Sequence, residues 1–163
     1  MPFTPFHWAV ALFGLIFFNV LYLPALIISS VLMDLEPFYY MFFSPPADGV
    51  LHGFFHTYLA VTILALVVAF VLIKFRPAID KRMARFSASQ TRISNNWIIA
   101  SSLLAAWSHV FLDSFLYTDI KPFWPLTNAN PFLGMLSSST VYLLCMLGLV
   151  AAIVLWVIKL VKK

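Results

Sequence analysis

Charge is scarce in this chain of 163 residues: Asp, Glu, Lys and Arg make up 10% of it, six acids against ten bases. A soluble fold of that length needs many more charges to cover its surface. Cysteine occurs once, at Cys145, so no intrachain disulfide can form and the redox compartment is not indicated. No basic stretch precedes the first apolar run, so a cleavable signal is not expected. Internal repeats and low-complexity tracts are missing. So is a Gly-x-Ser-x-Gly elbow, and the hydroxyls of Thr57, Ser108 and Ser114 are expected to bond back to helix carbonyls rather than act as nucleophiles.

What the chain has in quantity is hydrocarbon. It is 63% hydrophobic, with a mean hydropathy of +0.96 and seventeen Phe, six Tyr and five Trp. That composition belongs to an integral membrane protein with aromatic belts at the interfaces, and Phe54, Phe55 and Trp107 read as packing and lipid contact. Nucleic acid is not an expected partner, because the net charge of +4 is concentrated in one loop and at the C-terminus rather than along a groove.

Crossing a hydrocarbon core of roughly 30 Å takes about 20 apolar residues. Segments 52–73, 97–117 and 133–158 qualify. Asp48-Gly49, Ser94-Asn95 and Asn130-Pro131 supply their start signals. The stretch from His7 to Asp34 is apolar but contains Asn19 and Pro24. One helix over it would hold its ends about 40 Å apart. Pro24 lacks an amide hydrogen and restricts Leu23, which favours a break between Asn19 and Leu23 and two short arms whose outer ends meet. Thr4-Pro5 starts the first arm. The expected fold is an all-α integral membrane protein, one transmembrane domain over 1–163. It comprises a short helical hairpin, re-entrant or tilted, over 1–36, three full transmembrane helices, and a basic loop over 74–95.

Topology follows from Lys74, Arg76, Lys81, Arg82, Arg85, Arg92, Lys159, Lys162 and Lys163, nine of the ten basic residues, which fall on one face. The positive-inside rule makes that face cytoplasmic in a multi-pass plasma or inner membrane protein. It sends His52 and the loops over 36–49 and 119–130 to the extracytoplasmic side. The basic loop also reads as an amphipathic helix on anionic lipid.

All four histidines lie near apolar helix ends. His52 and His56 stand four apart, as do His109 and Asp113, and the antiparallel order of their spans brings the two pairs to one depth. Asp34 joins them at the end of the second arm, and His7 does so if the hairpin forms. Ionisable groups in apolar segments cost a few kcal/mol and face a partner or a cavity. A divalent cation satisfies His7, Asp34, His52, His56, His109 and Asp113 together, since it offsets the repulsion of two carboxylates. Imidazole with carboxylate points to zinc, with manganese or iron as alternatives, and six donors allow one or two ions. Taken singly, His7 also reads as an ordinary interfacial residue, and His52 with His56 as chance spacing on a wetted helix start.

The order Met-Pro-Phe-Thr-Pro-Phe-His at 1–7, Asp34-Leu35-Glu36, His52-Gly53-Phe54-Phe55-His56-Thr57, Ser108-His109-Val110-Phe111-Leu112-Asp113 and Pro122-Phe123-Trp124-Pro125 resembles a membrane-bound metal-dependent hydrolase family. That family is typified by a LexA-regulated bacterial inner-membrane protein and grouped with zinc-dependent phospholipases C and single-strand nucleases. The resemblance implies metal-dependent hydrolysis of a phosphoester and ligand roles for His7, Asp34, His56, His109 and Asp113. Asp34-Leu35-Glu36 replaces the family's frequent Asp-x-Asp. His52 stands where the family often has arginine, which leaves it open between ligand and phosphate contact.

The expected function is therefore hydrolysis of a lipid or lipid-linked substrate at the outer interface. Glu36 or Asp119 would accept the proton of water, and Lys121 would meet a phosphate. A divalent-metal transporter and a metal-stapled, non-catalytic protein are the alternatives. The aliphatic inner halves of the spans, as at 65–73 and 151–158, speak against transport.

Overall fold

The computed structural model describes residues 7, 8, 20–85, 90 and 92–161, which form helices and turns with no strand among them. Helix α1 (Leu23–Ser29) starts with Pro24 in its first turn, as the proline predicts, and a 3-10 turn (Leu32–Asp34) leads into α2 (Leu35–Phe42). A second 3-10 turn (Phe54–His56) precedes α3 (Tyr58–Ala84), followed by α4 (Asn95–Ser114) and α5 (Ser138–Val161). The stretch Leu23–Phe42, α3 and the Ser138–Leu155 part of α5 are long and apolar enough to cross a membrane; α4, on the expected 97–117 span, is not among them, since its serines, His109 and Asp113 lower its hydropathy.

Apart from His7 and Trp8, the first arm of the expected hairpin lies outside the described residues. Its ends nevertheless meet. His7 Nε2 stands 3.3 Å from an Asp113 oxygen, and Asp34 Oδ1 stands 3.4 Å from His109 Nε2, one turn away on the same helix. A single helix from His7 to Asp34 would separate them by about 40 Å.

The helix bounds differ from those expected for physical reasons. Helix α3 begins at Tyr58 rather than 52 because Thr57 is extended and its Oγ1 accepts from the Ala60 amide at 3.1 Å. His52 and His56 therefore do not share a helical face. At its other end α3 runs through Pro77 into the basic segment as far as Ala84. The Arg76–Asp80 pair at 3.2 Å, and Lys81 and Arg82 on the terminal dipole, support that extension. Helix α5 starts at Ser138, since Ser137 rather than Asn130 is the cap: its Oγ accepts from the Thr140 amide at 3.1 Å. Asn130 instead donates to the Ser114 carbonyl at 2.9 Å and accepts from the Phe132 amide at 3.1 Å. Helix α2 occupies part of the expected loop over 36–49.

Helix α4 carries polar as well as apolar residues on its buried face and large apolar residues on its exposed one. Ser101, Ser102, His109, Asp113 and Ser114 are buried beside Ile98, Ala106 and Val110, while Leu104, Trp107 and Phe111 are exposed. Polar groups turn inward in this way when they find partners in the bundle. The hydroxyls of Ser108 and Ser114 bond back to the carbonyls of Ala105 and Val110, as expected. Small residues let α1 seat against α3 and α4. Tyr22 and Ala25 pack with Val68, Ala69, Leu72 and Ile98, and Met33 packs with Val61, Ala65, Ala106 and Val110. Helix α5 joins through Val141 and Cys145 on Phe115.

The start of α1 is held by a buried polar latch. Its free amides find side chains: Tyr22 N donates to Ser101 Oγ at 2.8 Å, and Leu23 N to Gln90 Oε1 at 2.8 Å. Gln90 Nε2 returns a bond to the Leu21 carbonyl at 2.7 Å. The Tyr22 hydroxyl donates to Asp80 Oδ1 at 3.0 Å, and Arg76 Nε to Asp80 Oδ2 at 3.2 Å. The Arg76 guanidinium also donates to the Ile93 carbonyl and to Asn95 Oδ1. Removing one member of a buried ion pair strands the other. Asp80→Ala is expected to destabilise the protein by about 3 kcal/mol, measured as loss of thermal stability in detergent, with Asp80→Asn milder.

Candidate metal centre

Four of the six expected donors converge. One ligand atom each from Asp34, His56, His109 and Asp113, all buried, lies within 4.8 Å of the others. The four come from two kinds of local structure. Asp34 closes the 3-10 turn after α1, and His56 closes the one before α3. His109 and Asp113 share the inner face of α4 one turn apart.

The orientation of each imidazole is fixed from behind. His109 Nδ1 meets the Ser30 carbonyl at 2.7 Å, and His56 Nδ1 meets Glu36 Oε2 at 3.2 Å. A carbonyl and a carboxylate only accept, so both Nδ1 atoms carry a proton and both Nε2 atoms point inward. Those two Nε2 atoms are buried without a hydrogen-bond partner. They face carboxylates: His109 Nε2 is 3.4 Å from Asp34 Oδ1 and 3.2 Å from Asp113 Oδ2, and His56 Nε2 is 4.0 Å from Asp113 Oδ2. Two carboxylates pointed at one spot in an apolar interior repel one another, and a cation held between them and the two Nε2 atoms would offset that repulsion. Donors around a tetrahedral ion with bonds of 2.0–2.1 Å stand about 3.4 Å apart. The residues fit a divalent ion, and burial pushes His56 below the ordinary imidazole range, toward the neutral form that ligates.

His7 stands at the edge. Its ring stacks on His109 at 3.8 Å, and its Nε2 meets Asp113 Oδ1 while Asp113 Oδ2 faces the four-donor set. Asp113 thus links His7 to the centre.

The remaining expected residues have other tasks. His52 is outside the four-donor set; its Nδ1 lies 2.9 Å from Asp119, and its ring meets His56 edge-on at 4.7 Å. Asp119 Oδ2 accepts the amides of Leu51 and His52, each at 3.0 Å. Burial pushes the Asp119 carboxyl up, but these bonds and the His52 ring outweigh it and hold the group below its ordinary value. Glu36 Oε2 accepts from the amides of Gly53 and Phe55, each at 3.1 Å, as well as from His56. Both carboxylates expected as proton acceptors position the histidine segment through these bonds. Lys121 is exposed on the same loop as Asp119. That loop is tied to the start of α3 by the Tyr58 amide on the Pro122 carbonyl at 2.8 Å, which gives the Pro122–Pro125 motif a structural role.

Two contributors escaped the sequence. The Ser30 carbonyl carries no residue-type signal. Gly53 does, lying inside the His52–His56 motif: a Cβ there would stand 2.7 Å from Glu36 Oε1. Glycine is needed because Glu36 cannot move without releasing His56.

His56→Ala and Asp113→Ala are expected to abolish binding of a divalent ion, read by metal analysis of the purified protein. Glu36→Gln and Gly53→Ala, which disturb only the support of His56, should weaken metal affinity about 10- to 100-fold. Full metal retention by both alanine variants would remove the centre.

No curated protein and no solved structure matches the chain. A family model does, over residues 4–162, and its description agrees with the apolar helices above. The chain belongs to the YdjM inner membrane protein family.

Proposed function

We propose that this protein is a membrane-embedded metal-dependent hydrolase acting on a phosphoester of a lipid or lipid-linked substrate. The observation that carries the reading is the pair of partnerless Nε2 atoms of His56 and His109, aimed with Asp34 and Asp113 at one point. Two imidazoles with two carboxylates suit zinc, and manganese or iron after it. An ion held there supplies electrophilic assistance to a phosphoryl oxygen and acidifies water.

The chain's own residues divide the remaining work. Asp34, His56, His109 and Asp113 hold the ion, and His7 backs Asp113. Glu36 and the Ser30 carbonyl keep the two rings aimed, so the barrier is not spent on reorienting them. His52, clamped by Asp119, and Lys121 meet the phosphate, the lysine as a point charge. The basic residues from Lys74 to Arg92 make their end of the bundle cytoplasmic, which turns the centre outward, at the depth of a head group.

Metal transport is favoured by a single feature: the hydroxyls of Ser29 and Ser102 are buried without partners. With Ser101 they line α1 and α4 on the way to the latch. The inner side of the bundle is thus less purely aliphatic than α3 and α5 suggest. A divalent cation taking that route would meet the Arg76 guanidinium, which opposes its passage.

The protein in phospholipid nanodiscs, given a panel of phospholipids and isoprenyl phosphates, is expected to release a product that chelation abolishes and added metal restores. Turnover by the metal-free protein would overturn the mechanism, and zinc uptake into vesicles without product would favour transport. For sidedness, single cysteines at Asp48 and Arg85 in a Cys145→Ser background should label from the extracytoplasmic and cytoplasmic sides respectively. The opposite pattern would turn the centre inward.

A further inference from the structure

A groove of about 340 Å³ runs beside the metal centre, lined by Leu32, Leu35, Tyr39, Tyr40, Phe55 and Leu64, with Glu36 as its one charged wall. The lining follows from the helical period. Residues 32, 35, 36, 39 and 40 recur at three- and four-residue steps and present one stripe of the α1–α2 connection and α2 toward Leu64 of α3. Glu36 and Phe55 belong to both structures. The Glu36 carboxylate that borders the groove accepts from His56 Nδ1 and from the Phe55 amide, so the groove ends against the support of a metal donor.

We infer that this groove binds the hydrocarbon chain of the substrate lipid while its phosphate head group lies at the metal centre. The inference rests on the hydrolase reading above and specifies its substrate. The groove borders the centre at Glu36, whose carboxylate holds His56, and this distinguishes it from the exposed apolar surface at Ile63, Val67 and Phe70. Its volume lies at the small end of the range for ligand pockets, about 300–1,000 Å³. Its walls offer hydrocarbon and aromatic faces, and two of them are tyrosines, the side chain that settles where acyl chain gives way to head group. A free phosphate or a short-chain ester would leave this surface unused. The groove therefore makes chain length, rather than head-group structure alone, a determinant of the substrate.

The test uses two photoreactive probes in phospholipid nanodiscs: a phosphatidic acid and an isoprenyl monophosphate, each with a diazirine in its chain. Cross-links are expected to concentrate at least fivefold on groove residues over the lipid-facing controls Phe70 and Val154, with excess long-chain lipid competing and a short-chain analogue not. Whichever probe labels the groove identifies the chain as acyl or isoprenyl. Leu32→Trp and Leu64→Trp, which fill the groove, should abolish this labelling while metal content stays at the wild-type value. In turnover, the same variants should lose about tenfold on a long-chain phosphoester and change little on a water-soluble one. Even labelling of the groove and the controls would overturn the inference whatever the activity, as would equal loss on both substrates by a variant with full metal. Enriched labelling without turnover of either substrate would leave the groove standing and remove the hydrolase reading.

Discussion

The repulsion among acceptor atoms buried at the end of the bundle is the constraint on which the rest depends. Asp34 and Asp113 bring two carboxylates into an apolar interior, and His56 and His109 aim two Nε2 atoms the same way. A chain that is 63% hydrophobic has little else there to offset them. A cation would offset that repulsion, and its binding would then be coupled to the packing of the elements that carry the cluster. Those elements are the α1–α2 connection, the 3-10 turn before α3, and α4, so occupancy of the centre would join three separate pieces of chain.

The other buried polar cluster solves the same difficulty without an ion. At the basic end, Asp80 is met by Arg76 and Tyr22, and Gln90 satisfies the amide and carbonyl freed where the chain turns before α1. Each donor named in that latch has an acceptor. At the other end the Nε2 atoms of His56 and His109 are buried without a hydrogen-bond partner. This difference separates a structural network from a candidate site more sharply than burial does, since both are buried. It also explains why α1 can be short. Fixed by the latch at its start and by Ser30 on His109 at its end, it does not depend on its own length for stability.

Much of this was legible in the sequence because a membrane protein has few places to put an ionisable group. Proline at 24 located the start of α1, and the depth of His109 and Asp113 in an apolar run marked them as partnered. Residues where backbone conformation intervenes were less legible. His52 and His56 look like a helical pair, but the chain there is a 3-10 turn capped by Thr57, which turns His52 onto Asp119. Glu36 and Asp119 are acids near a candidate site, and sequence cannot distinguish an acid that takes a proton from one already committed to amides. Only the hydrogen bonds of the folded chain decide that. The extension of α3 through Pro77 was hidden because charge and proline both mark a helix end, whereas Arg76 and Asp80 pair across one turn and stabilise it.

The supporting contacts bear on the proposed hydrolysis more directly than the donors do. A metal staple needs only enough donors to hold an ion; it gains nothing from an accessible flank. Here the carboxylate that aims His56 also borders an apolar groove, and the glycine that admits it leaves no room for a side chain. A structural ion would be served as well by a polar or filled surface at 32, 35 and 64. The same few residues therefore set the ring of a metal donor and shape the adjoining surface. That coupling is what a site requires when a bound chain must bring its head group to a fixed point.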